Sequence, residues 1–185
     1  MPSTMRLALY PPAALVALAP AGALAVDYLS AEQAQKLMFP QADAFELREL
    51  PLDAALAQQL AAAGVKPLAP RLQVRLARQG GAVIGFVVVD EVIGKFERIT
   101  YAVGMEPDGR VRQVEVLSYR ESHGHEIRLP AWRKQFVGKT AAAPLQVGED
   151  IANISGATLS CTHVTEGVRR IVIWLDLLRR GGRLS

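Results

Sequence analysis

Ser155, Gly156, Ala157, Thr158, Leu159 and Ser160 set three hydroxyls around a glycine, directly ahead of a long amphipathic stretch. That grouping suits a phosphate. Downstream, Val164, Val168, Ile171, Val172, Leu175 and Leu178 recur at three- and four-residue steps, with Glu166, Arg169, Arg170, Asp176 and Arg179 mostly between them, which predicts a helix packed by one face. The first-turn amides of such a helix lack intrahelical acceptors, and the aligned peptide dipoles add roughly half a positive charge there, so an anion is stabilised. Gly156 lets backbone approach closely, and Thr158 offers an oxygen beside it. The plainer use of the same residues is a cap, with Ser155 or Thr158 accepting from an amide two or three residues on.

A second group with chemical potential runs from Tyr119 to Glu126 and gathers Glu121, Ser122, His123, Gly124, His125 and Glu126 into one segment after a strand. Loops leaving a rigid sheet are where ligand contacts concentrate. His123 and His125 share a face if extended and stand near two carboxylates, a pattern compatible with zinc or copper. Only His163 remains as a further imidazole and no cysteine pair exists, so no metal site is assigned. Imidazole titrates near neutral pH, which also makes His123 or His125 a candidate proton donor. Trp132 and Phe136, four apart, are expected in the core. Cys161 is the single cysteine, which rules out an internal disulfide. In a first helical turn an exposed thiol is acidified and reactive, but the expected place for it is the core.

Several elements must position these groups. Ser30 stands three residues before Gln33 and heads a short helix that Pro40 ends, with Ala34, Leu37 and Met38 on one face. A second helix is predicted over Leu52 to Ala62, closed by Gly64. Pro67 and Pro70 lead into a sheet: Leu72 to Arg78 alternates, Gln79-Gly80-Gly81 turns the chain, and Ala82 to Val89 is apolar enough for a central strand covered on both faces. Arg98 to Gly104 and Val111 to Tyr119 form a hairpin turned by Pro107-Asp108-Gly109, with an imperfect alternation at Arg112-Gln113 that predicts a bulge. The order predicts an α+β domain, an antiparallel sheet with packed helices and the last helix on one sheet face.

The chain has 185 residues, half of them hydrophobic, enough for one sizeable core over residues 26–185. Its formal charge is +3 and the basic residues are interleaved with acidic ones, so no nucleic-acid partner is indicated. Residues 1–25 are different: Arg6 is their only charge, Leu7 to Leu24 is almost wholly apolar, and Ala23-Leu24-Ala25 fits a signal peptidase site. This predicts a secretory signal cleaved near Ala25, before Val26, and a periplasmic or otherwise extracytoplasmic protein. Pro11, Pro12, Pro20 and Gly22 weigh against a stable membrane-spanning helix.

The string Ser155-Gly156-Ala157-Thr158-x-Ser160 resembles the attachment motif of the FMN-binding domain family, which includes the C subunit of sodium-translocating NADH:quinone reductase and the G subunit of the Rnf complex. Glu121, Ser122, Gly124, Pro130, Trp132, Phe136, Gly138 and Lys139 resemble the family's second characteristic stretch. The resemblance implies a cofactor site of Thr158, Ser155, Gly156, Ala157, Leu159, Ser160, Glu121, Ser122 and Gly124. It further implies FMN joined to Thr158 by a phosphoester, an FAD:protein FMN transferase as modifying partner, and membrane-bound or periplasmic electron-transfer partners. The family pattern has Asp three residues before the Ser, where this chain has Ala152. Two other readings stay open: a flavin-dependent reductase with its own small substrate, and a flavin-free binding module of the same fold.

Overall fold

The computed structural model describes residues 26–184, so the apolar segment 1–25 lies outside the described residues. In chain order it runs β1 (Val26–Asp27), α1 (Ala31–Met38), β2 (Ala44–Pro51), α2 (Ala54–Ala62), β3 (Arg71–Gln79), β4 (Ala82–Ile93), β5 (Arg98–Met105), β6 (Val111–Tyr119), α3 (Pro130–Arg133) and α4 (Thr158–Arg180), with short 3-10 turns flanking α3. The strands form one antiparallel sheet in the order β1-β6-β5-β4-β3-β2. The architecture is α+β, as the element order predicts.

The sheet is covered on both faces, and the sequence shows why. In β4, Phe86 and Val88 point into the larger core with α2 and α4, while Val87 joins Ala34, Met38 and Phe39 of the α1 end on the opposite face. β4 is therefore the twice-buried strand its apolar run predicts, although it continues to Ile93 with an exposed end. The hairpin β5–β6 carries the expected bulge: Gly104 pairs with Gln113 and Met105 with Val111, which leaves Arg112 as the extra residue. Arg112 turns its guanidinium to the Met38 carbonyl and to Glu106.

The helices start as their sequences specify. Gln33 N–H donates to Ser30 Oγ and Ser30 N–H to Gln33 Oε1, a reciprocal cap on α1. Asp53 caps α2 by accepting from the Leu56 amide. One detail of α1 differs from expectation: Gln35 is buried and Leu37 is exposed, because the helix rests on the sheet by Ala34, Gln35 and Met38. Strand β2 is not anticipated. It is an edge strand with charge on both faces, Glu46 with Arg48 and Arg78 on one and Glu49 with Arg71 on the other, ion pairs suited to a sheet edge.

Helix α4 is fixed to the sheet at mid-length by a half-buried polar clamp. Asp90 on β4 accepts from Tyr101 Oη (2.8 Å) and from Arg170 Nη2 (2.5 Å). The start of α4 lies at the sheet end where β4 and β6 finish and β5 begins. Its last turns lie at the other end, where Gly109 of the β5–β6 turn sits against Asp176 and Arg179.

Candidate functional site

The α4 N-terminus is built without a side-chain cap. Its capping position is Ala157, no side chain accepts from the first-turn amides, and the first intrahelical bond is Cys161 N–H to Ala157 O at 2.9 Å. The plain capping role for Ser155 or Thr158 is thus not the one found: Thr158 is the first helical residue, and Ser155 is exposed on the turn before it. Uncapped amides at the head of a 23-residue helix favour an anionic oxygen. Gly156 has φ +83° with open space around it, so glycine is required there by backbone conformation rather than close approach. The Thr158 side chain is exposed, and its Oγ1 accepts from Asn153 Nδ2 at 3.0 Å. Ala152 also faces solvent, with its carbonyl held by Trp132 Nε1 (2.8 Å) and its amide by Gln135 Oε1 (2.7 Å).

A cleft of about 310 Å³ brings the two sequence constellations together: Gly156 to Ser160 line one wall and Glu121, Ser122 and His123 the other, with Lys95 and Phe96 of the β4–β5 turn at the rim. Gly124 lies beneath rather than in the lining. At φ +89°, a Cβ there would meet Tyr119 Oη at 2.5 Å and Ala157 Cβ at 2.7 Å, so only glycine lets the loop sit on the motif. Tyr119 Oη donates to the His123 carbonyl at 2.5 Å and, with its single hydrogen so used, accepts from Ser160 Oγ at 3.1 Å. That buried relay joins the first turn of α4 to the loop. His125 packs its ring edge-on to Tyr119 and does not line the cleft, so of the two candidate proton donors only His123 faces it.

Glu121 is 8% exposed, and its Oε1 accepts from the amides of Lys95 (2.5 Å), Phe96 (2.6 Å) and Glu97 (2.9 Å). Burial on its own raises the pKa of this carboxyl, but the three amide bonds and the Lys95 charge outweigh it and hold it below its ordinary value. On the far side of Thr158 a broader trough of about 970 Å³ is lined by residues 142 and 144–149 and by the Thr158, Thr162, Thr165, Glu166 and Arg169 face of α4. The loop over this trough is set by Asp150, which accepts from Lys139 Nζ (2.7 Å) and from the Gln146 and Leu145 amides.

Cys161 is fully buried, and burial pushes its thiol pKa up, which overrides any acidification at the helix start. Trp132 and Phe136 are buried in edge-to-face contact at 5.1 Å. The sequence reading assigns no role to Lys95, Phe96, Asn153 or the His163 ring, because Lys95 and Phe96 reach the site through partners about 25 residues away and His163 through partners some 70 residues away.

Residues 94–172 match the family model of the FMN-binding domain. A curated relative, the G subunit of a proton-translocating ferredoxin:NAD(+) oxidoreductase complex from Clostridium ljungdahlii, is 33% identical over 104 residues, covering 52% of this chain and 56% of the relative. The chain thus spans little more than half the length of that relative. The crystal structure of Shewanella oneidensis NqrC superposes with a TM-score of 0.50 at 18% identity, over 78% of this chain and 88% of that one, a likeness of fold. The resemblance to the FMN-binding domain family carried by the Ser155–Ser160 motif is thereby shown. The site's features fit the group that family binds: uncapped helix amides for a phosphate, an exposed hydroxyl beside them, and a cleft alongside.

Proposed function

We propose, from the match of residues 94–172 to the FMN-binding domain, that this chain carries FMN covalently on Thr158, outside the cytoplasm, and relays electrons between membrane-bound or other extracytoplasmic redox partners. The observation that carries the reading is the Thr158 hydroxyl, exposed at the uncapped head of α4 and opening on the cleft shared with Glu121 to His123. In the attachment, Thr158 gives up its hydroxyl proton and gains one P–O bond as the pyrophosphate bond of FAD breaks and AMP leaves, a reaction for an FAD:protein FMN transferase. Asn153 occupies one lone pair of the Thr158 oxygen and leaves the other for that bond. The amides of Thr158, Leu159 and Ser160 then face the resulting negative charge. Bound there, FMN supplies the electron acceptance and donation, and the protein supplies placement and electrostatics.

A covalent link keeps the cofactor's effective concentration high whatever its intrinsic affinity, which matters outside the compartment where flavins are made. The apolar, small-residue-ended stretch 1–25 supports that location. A membrane redox setting is supported by the Clostridium ljungdahlii relative, itself part of a proton-translocating oxidoreductase complex.

The test is intact-protein mass spectrometry after co-expression with a transferase. The wild type is expected to gain one FMN moiety, and Thr158→Ala to stay unmodified and colourless yet folded. The substitution removes one exposed hydrogen bond, about 1 kcal/mol, too little to unfold a domain of ordinary stability. An unmodified wild type overturns the reading, with Ala152 in the family's Asp position as the cause to examine. A modified Thr158→Ala moves the acceptor to Ser155, Ser160 or Thr162.

A further inference from the structure

We propose that Glu121 is a positioning residue: it does its work by mounting the β4–β5 turn so that Lys95 and Phe96 face a cofactor held on Thr158. This deepens the proposed function and rests on it. The turn has no apolar packing of its own to hold it, since Phe96 is 75% exposed and Lys95 and Glu97 also face solvent. It is fixed by polar contacts from two sides. From the loop that follows β6, a single carboxylate oxygen of Glu121 receives three consecutive amides, those of Lys95, Phe96 and Glu97. From α4, His163 Nδ1 reaches the carbonyls of Ile93 (2.6 Å) and Gly94 (3.1 Å), and because carbonyls only accept, that nitrogen carries the hydrogen. The Gly94 amide closes the turn on the Glu97 carbonyl at 2.8 Å.

The result is a rigid backbone presenting two exposed side chains beside the cleft. Lys95 Nζ stands 4.9 Å from the Phe96 ring centroid, and both residues line the cleft with Thr158. An ammonium and an aromatic face held together match a planar, anionic ligand better than either would alone. Oε1 of Glu121 is committed to the three amides of the turn, which is the contact through which this side chain holds Lys95 and Phe96 in place.

The experiment compares covalently loaded wild type, Glu121→Ala, Lys95→Gln, Phe96→Ala and the Glu121→Ala/Lys95→Gln double variant by midpoint potential and visible circular dichroism. Reduction adds negative charge, so losing a nearby cation lowers the potential and losing a nearby anion raises it. The expected result is a lower potential for both Lys95→Gln and Glu121→Ala, with the double variant no lower than the larger single shift. Phe96→Ala is expected to weaken the flavin dichroism. A raised potential in Glu121→Ala, repeated in the Lys95→Gln background, means that the carboxylate acts directly and overturns the proposal. So does a loaded protein in which none of these variants alters potential or dichroism. If Glu121→Ala does not fold, Lys95→Gln and Phe96→Ala, which truncate exposed side chains, decide by themselves. A wild type that takes up no FMN fails at the earlier step, and its mass spectrum separates that failure from this one.

Discussion

Glu121 and Asp150 do similar work, one carboxylate gathering the amides of a turn and the other gathering amides together with the Lys139 ammonium. For both, burial raises the carboxyl pKa and the bonds to the charged form more than reverse it, so each sits below its ordinary value, 4.5 for Glu121 and 3.8 for Asp150. A depressed folded-state pKa contributes stability that is fully present above the unfolded value and lost as pH falls through the folded one. Denaturation followed from pH 7 down to pH 3 is therefore expected to show a loss below about pH 4.5, the ordinary Glu value, and Glu121→Gln should flatten that acid limb while lowering stability at neutral pH. An acid limb unchanged in Glu121→Gln contradicts this. Gly124 gives a second expectation at the same scale. With φ +89° and Tyr119 Oη at 2.5 Å from an added Cβ, Gly124→Ala combines backbone strain with overpacking. A loss of about 2–4 kcal/mol in urea denaturation is expected, and wild-type stability in that variant would show that the loop can lift off Ala157 without penalty.

Among the elements, α4 both starts the site and ties it to the sheet. A Cβ on Gly167 would lie 2.0 Å from Tyr101 Oη, the hydroxyl that donates to Asp90 alongside Arg170. Gly167→Ala is expected to cost about 1–3 kcal/mol, and thermal melts with the flavin content measured in parallel will tell whether the clamp also sets the α4 start. Helix α4, the capped α1 and the β5–β6 hairpin with its bulge at Arg112 were legible, because periodicity, caps and turn residues are local signals, whereas α2 was found but starts at Ala54, two residues later than read, after an Asp53 cap. Strand β2 was not, since charged residues on both of its faces and the exposed Leu47 blur the alternation that marks a half-buried strand. The pairing of the Ser155–Ser160 turn with the Glu121 loop was implied by the resemblance that set both in one cofactor site, and the cleft unites them. The third wall, Lys95 and Phe96, was hidden: a Lys-Phe-Glu turn reads as solvent-facing until the strand order brings residue 121 beneath it. Residue 37 misled for a related reason, as helical spacing names a stripe but not which edge of it the sheet covers.

At the scale of the molecule, the site occupies one end of the sheet, and the β5–β6 turn lies at the other against Asp176 and Arg179. Among the described residues no helix is long and apolar enough to cross a membrane. The proposed location outside the cytoplasm is checked by fractionation and N-terminal sequencing, with the mature chain expected to begin at or near Val26; a full-length chain that resists salt washing in the membrane fraction is the contrary result. The two ends of α4 are about 34 Å apart at 1.5 Å per residue. The burial of Cys161 turns this polarity into a practical handle, because the chain's single native thiol is shut away from alkylating reagents. A cysteine introduced at exposed Asp108, in the far turn, becomes the one reactive sulfur in the folded molecule. Through it the protein can be tethered to an electrode or a bead in a single orientation, with the cleft turned outward.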